Sequence, residues 1–126
     1  MPLTNAGAQW FAKALMNDSP VFYNLANAHL CVGDGGGTGF NVTQPDLIGP
    51  SKFRRPMEPG YPTRSANVVT YRSLFATGEA NFNWSEWGLA NALAAGELFS
   101  RAIAALGAKS SATAWQLTAA ITVNAT

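Results

Sequence analysis

This sequence predicts an α+β, mainly β, fold: an antiparallel β-sandwich preceded by one N-terminal helix, with a long proline-rich arm between them. Three observations lead there. Residues 68–75, Val-Val-Thr-Tyr-Arg-Ser-Leu-Phe, are rich in the β-branched and aromatic types that suit a pleated, half-buried surface. Residues 112–123 alternate strictly, with Trp115, Leu117, Ala119, Ile121 and Val123 on one face and Gln116, Thr118, Ala120 and Thr122 on the other, as in a strand with one wet face. Trp10, Phe11, Ala14 and Leu15 recur instead at the spacing of one helix face.

The helix is expected over residues 4–17. Thr4 or Asn5 caps its start, because a side-chain oxygen there accepts from backbone amides that the first turn leaves free. Asn17-Asp18-Ser19-Pro20 ends it, since proline cannot continue a helix and pushes its predecessor to extended geometry. Val21-Phe22-Tyr23 is expected to cover a core edge. Residues 26–32 alternate Ala26, Ala28, Leu30 and Val32 against Asn27, His29 and Cys31 and read as a half-buried strand. The run Gly33-Asp34-Gly35-Gly36-Gly37-Thr38-Gly39 follows. A phosphate loop would add a lysine and a serine or threonine at a helix start, or spaced glycines ahead of a helix, and neither is present, so the run reads as a turn. Asp34 alone is too few acids for a calcium cage, which takes six to eight oxygens.

Residues 45–64 form the arm, with Pro45, Pro50, Pro56, Pro59 and Pro62 spread along it and Leu47, Ile48, Phe53, Met57 and Tyr61 as candidate anchors. Lys52, Arg54 and Arg55 are either a solvated face or a clamp on an acidic neighbouring subunit, arginine being suited to bidentate pairing with carboxylates. The main sheet is expected over 66–123. After a turn at Arg64-Ser65-Ala66-Asn67 and the strand at 68–75 comes the aromatic stretch 81–91. Strict alternation there sets Phe82, Trp84, Glu86 and Gly88 against Asn83, Ser85, Trp87 and Leu89. Apolar bulk on both faces makes it a central strand, with Trp84 the more buried tryptophan and Trp87 nearer a subunit contact. Residues 97–106 admit two readings: Leu98, Phe99, Ala102, Ile103 and Leu106 fit a helix face, while Gly96 and Gly107 bracket a segment of strand length.

Composition narrows the function. Charged residues are 12% of the 126-residue chain and the net charge is +1, against roughly 25% charged residues in ordinary soluble domains. Nucleic acid and anionic membranes are recognised by clustered positive charge, so neither is expected as a partner. Near-neutral proteins self-associate readily, and a homo-oligomer is expected. Cys31 is the single cysteine, so an intrachain disulfide is impossible and a buried thiol is expected. Neither a basic-then-apolar leader nor an apolar run of about 18 residues is seen, and secretion or membrane insertion is not expected.

Chemistry is sparse. His29 and Cys31 share a strand face, but a structural zinc takes four ligands and no further cluster is visible, so neither metal nor cofactor is expected. No Gly-x-Ser-x-Gly elbow occurs. Glu86, flanked by Trp84 and Trp87, has the surroundings of a raised-pKa glycosidase acid, with Glu79 or Glu97 as the second carboxylate. Nothing in the spacing selects either, and the expectation is a structural Glu86 in a protein that is not an enzyme.

Four short motifs in order resemble the tail-collar type of bacteriophage fibre domain: Thr4-Asn5-Ala6-Gly7 opening a helix, Leu30-Cys31-Val32-Gly33-Asp34-Gly35-Gly36, Asn83-Trp84-Ser85-Glu86-Trp87-Gly88-Leu89, and Glu97-Leu98-Phe99-Ser100-Arg101-Ala102 with Lys109. The resemblance spans nearly the whole chain and implies a strand at 97–106. It also implies a virion location, with assembly in the bacterial host cytoplasm. Fibre proteins of that type continue into a trimeric shaft, whereas this sequence stops soon after its last strand. That favours a free-standing head-decoration (cement) protein over a tail, collar or baseplate adaptor. The implied partners are further copies of the chain, a trimer among the candidate states, and major capsid or tail proteins, contacted through Lys52, Phe53, Arg54, Arg55, Met57 and Trp87. A carbohydrate-binding module stacking sugars on Trp84 or Trp87 is the remaining alternative.

Overall fold

The structure, a computed structural model, describes residues 2–125. Helix α1 spans Asn5–Met16 and is capped as its sequence predicts: Thr4 Oγ1 accepts from the Gly7 amide at 3.0 Å, and Asn17 closes the other end in the left-handed conformation at φ 50°. Seven strands follow: β1 (His29–Gly33), β2 (Lys52–Pro56), β3 (Thr63–Ser65), β4 (Val68–Phe75), β5 (Asn83–Ala90), β6 (Leu98–Ala108) and β7 (Trp115–Thr122). They form two antiparallel sheets, ordered β2-β1-β5-β6 and β3-β4-β7, packed as a sandwich.

Between the sheets lie two apolar clusters. One gathers Leu30, Leu89 and Phe99 from the larger sheet against Tyr71 and Ala119 from the smaller, with Tyr23 and, from α1, Trp10 and Phe11 closing the end. The other packs Val32 and Trp84 against Phe75, with Trp115 alongside; Trp84 meets Phe75 and Trp115 edge-on at ring separations of 4.8 and 5.1 Å. Helix α1 docks on β6 through its first turn. Thr4 N donates to Phe99 O at 3.1 Å, and Gly7 passes so close to the Phe99 carbonyl that a Cβ would collide with it. Leu15, by contrast, stands 87% exposed, outside the face its spacing assigned it to.

Of the two readings of 97–106 the structure takes the strand, β6; Leu98, Phe99, Ser100 and Arg101 are all buried, so apolar residues on both faces mimic helical spacing. Two expectations are corrected. The 45–64 segment is no outreaching arm. Its middle is β2, paired to β1 from Gly33–Lys52 to His29–Pro56, and its end enters β3. Alternation also fails within β5. Trp84 pairs with Gly107 but Glu86 with Ile103, so the ladder slips by two residues on β6. The slip turns Ser85 and Glu86 together toward the glycine run, and brings Trp87 with Trp84 between the sheets. Trp84 is 2% exposed and Trp87 half-buried, in the expected order, and Trp87 packs on both core clusters.

Candidate functional site

The residues singled out for chemistry converge on the outer face of the larger sheet. Glu86 of β5 and Arg101 of β6 are both fully buried, with Arg101 Nε donating to Glu86 Oε1 at 2.7 Å. The other donors to that carboxylate are backbone amides from two loops: Gly35 and Gly49 to Oε2, each at 2.7 Å, and Ile48 to Oε1 at 3.0 Å. Arg101 Nη2 donates in turn to Gly35 O and Thr38 O, both at 2.8 Å, leaving only Nη1 without a protein partner. The glycine run is thus a lid over an ion pair. A Cβ on Gly33 or Gly35 would strike the Glu86 carboxylate, and one on Gly36 would lie 2.5 Å from Ser85 O. Asp34 ties the second loop in by accepting from Ser51 N at 3.0 Å.

This arrangement holds structure and offers no proton to a substrate. Burial pushes the Glu86 carboxyl upward, but the Ile48 amide, Arg101 and the Gly49 and Gly35 amides outweigh it and hold it below the usual glutamate range. A glycosidase acid needs the opposite shift. Neither candidate second carboxylate joins it: Glu79 pairs with Arg55 at 3.2 Å, and Glu97 with Lys13 at 3.4 Å. His29 Nδ1 lies 2.8 Å from Asn27 O, the Cys31 thiol is buried, and no group of three His, Cys, Asp or Glu among the described residues is arranged to hold a metal. No described helix is long and apolar enough to cross a membrane.

No family model matches this chain, and no curated protein does. Function therefore rests on the surfaces. Apart from Trp87 of β5, the expected contact residues lie on or beside the edge strand β2, and their charges are largely committed within the fold. Lys52 and Arg54 both pair with Asp46 at 3.1 Å, and Arg54 Nη1 also donates to Ala92 O and Ala95 O. Arg55 bridges to Glu79 and Leu74 O. Met57 is buried in the core and Phe53 packs on the second cluster, so neither is a free anchor. Neither Trp84 nor Trp87 stands clear as a sugar platform.

What the spacing did not reveal is a group of exposed large apolar side chains at the far end of α1 and in the segment that follows it. Leu15, Met16, Val21, Phe22 and Leu25 are 87, 80, 46, 50 and 55% exposed. Trp10 anchors the segment, its Nε1 donating to Val21 O at 2.9 Å and its ring meeting Phe22 edge-on. Beside it opens a cleft of about 340 Å³ between helix and sandwich, walled by Trp10, Phe22, Tyr71, Phe99 and Ile121 among others. The available signal was that Leu15 and Met16 end a helix and that Val21, Phe22 and Leu25 follow within nine residues.

Proposed function

We propose that this chain is a non-enzymatic structural protein of a tailed-phage virion, a decoration protein that binds the capsid lattice in multiple copies and stabilises it. The observation that carries the reading is the exposure of five large apolar side chains within eleven residues, Leu15, Met16, Val21, Phe22 and Leu25, which water disfavours and a protein partner would cover. Two further features support it. Among eight Lys and Arg, six are in ion pairs within the fold, and the Lys109 amine is bound to Ala76 O and Asn81 Oδ1, so little charge is left for a nucleic acid or an acidic ligand. The residues that resemble the phage collar domain meet in space, with Thr4 and Gly7 on β6 and Gly35, Glu86 and Arg101 in one buried cluster.

A ligand that binds only the folded lattice raises its stability by mass action. Particles lacking the protein should therefore disrupt at a lower temperature than intact ones, and adding purified protein back should restore the difference. The double change Leu15→Lys with Met16→Lys, at exposed sites in the last turn of α1 where a positive charge suits the helix dipole, should abolish add-back binding without lowering the protein's own melting temperature. Equal heat stability with and without the protein would refute cementing. Co-sedimentation with isolated tails and not with capsids would favour the tail adaptor instead.

A further inference from the structure

A sandwich has four sheet edges, and an unprotected edge is a template for another strand. Three are protected here. β2 carries Lys52, Arg54 and Arg55 and ends on Pro56. β3 is three residues long and includes Arg64. β6 is covered at its start by Leu3, bridged to Ser100, and by Thr4, while its far half slips register and passes through Gly107 at φ 108°. β7 has none of these protections. Its eight residues keep unbroken register with β4, from Phe75–Trp115 to Val68–Thr122, and among the described residues no strand lies along its other side. No charge or proline occurs anywhere in residues 110–126.

We propose that β7 pairs antiparallel with β7 of a second copy of this chain, joining two three-stranded sheets into one across a two-fold axis at Ala119. The sequence of the strand argues for its own copy as the occupant. An isologous contact sets each residue opposite the one equidistant from the axis. With the axis at Ala119, Leu117 faces Ile121 on the core side, and Thr118 faces Ala120 and Gln116 faces Thr122 on the wet side, so apolar meets apolar and polar meets small or polar. A charge on such an edge would lie close to its own symmetry mate, and this is the edge without one. The net charge of +1 adds little repulsion between copies. The contact closes at two copies, and it is a property of the purified chain, independent of the virion reading.

Sedimentation velocity tests it. The wild-type protein should sediment as a dimer, and Thr118→Lys with Ala120→Lys, two exposed positions set opposite each other, should weaken the dimer by roughly tenfold or more with circular dichroism unchanged. Independently, mixing a Thr118→Cys variant with an Ala120→Cys variant should yield an oxidised cross-linked dimer that neither variant forms alone. A monomeric wild type would overturn the proposal. So would an oligomer that the lysines leave unaltered together with a mixture that does not cross-link.

Discussion

Replacing Glu86 by glutamine keeps the side chain's shape and removes its charge, which isolates what the carboxylate does beneath the glycine lid. Each carboxylate oxygen receives two donors: Ile48 N and Arg101 Nε on Oε1, Gly35 N and Gly49 N on Oε2. A glutamine supplies one oxygen, so whichever way the amide turns, two donors face an NH2 group and Arg101 is left as a buried charge without a counter-ion. Removing one partner of a buried pair costs about 3–5 kcal/mol, a large share of a total stability of about 5–15 kcal/mol. For a chain of this size that is a fall in melting temperature of roughly 10–20 °C. Equilibrium urea unfolding measures the loss, and faster hydrogen exchange at the Gly35, Ile48 and Gly49 amides would locate it. The pair also has a pH signature. Because the folded carboxyl titrates below its usual range, its contribution is fully present above the unfolded pKa of about 4.3 and is lost as pH falls through the lower folded value. The gap between wild type and Glu86→Gln should therefore narrow in acid. Asp46 remains in the variant as a second acid-sensitive group. Burial raises its carboxyl, but Lys52, the Leu47 amide and Arg54 together hold it below the usual range. A variant within about 1 kcal/mol of wild type at neutral pH would refute the latch, since a lone buried unsatisfied donor already costs about that much.

Three further outcomes follow from single residues. Burial lifts the Cys31 thiol to about 12 despite the opposing effect of Arg54, so Ellman's reagent should label it only after denaturation; stoichiometric labelling of the native protein would count against the packing described. Gly7→Ala gains helix propensity in an open helix by about 1 kcal/mol, but here the new Cβ meets the Phe99 carbonyl, so thermal melting should show a net loss of about 1–3 kcal/mol. A gain would mean that α1 docks differently. Ala66 sits exposed in the β3–β4 turn at φ 51°, a conformation that disfavours a Cβ, and Ala66→Gly should raise stability by about 0.5 kcal/mol; a lower denaturation midpoint would contradict that turn geometry.

The elements legible in the sequence were those whose pattern reports one local environment. β7 alternates because one face is wet, β4 is β-branched because it lies on the core, and Thr4 and Asn17 cap a helix whatever it packs against. Where the pattern misleads, it has two causes. β6 carries Leu98, Phe99, Ser100 and Arg101 without alternation because the core lies on one side and the loop over Glu86 on the other. β2 looked like an arm because prolines and basic residues are the devices that protect a sheet edge. Edge protection and disorder have nearly the same composition, and only the partner strand distinguishes them.

The same ambiguity governs the site. The glycine run and Glu86 were each conspicuous, and each invited a ligand: a phosphate for one, a sugar for the other. Residues 51 apart in sequence turned out to be each other's ligand, Gly35 N donating to Glu86 Oε2. The glycines are required because the lid must approach a carboxylate within hydrogen-bond distance. The carboxylate is required because that lid leaves amides without strand partners. Either feature read alone suggests an open site, whereas together they satisfy one another and close it. The aromatic flanks of Glu86 have a different cause, since Trp84 and Trp87 face the opposite side of β5 across the register slip. What the chain leaves unsatisfied lies elsewhere, in the exposed apolar side chains of Leu15 and Met16 and along the far edge of β7. Both deficits are of the kind that another protein chain satisfies, which is why assembly is the reading argued for this protein.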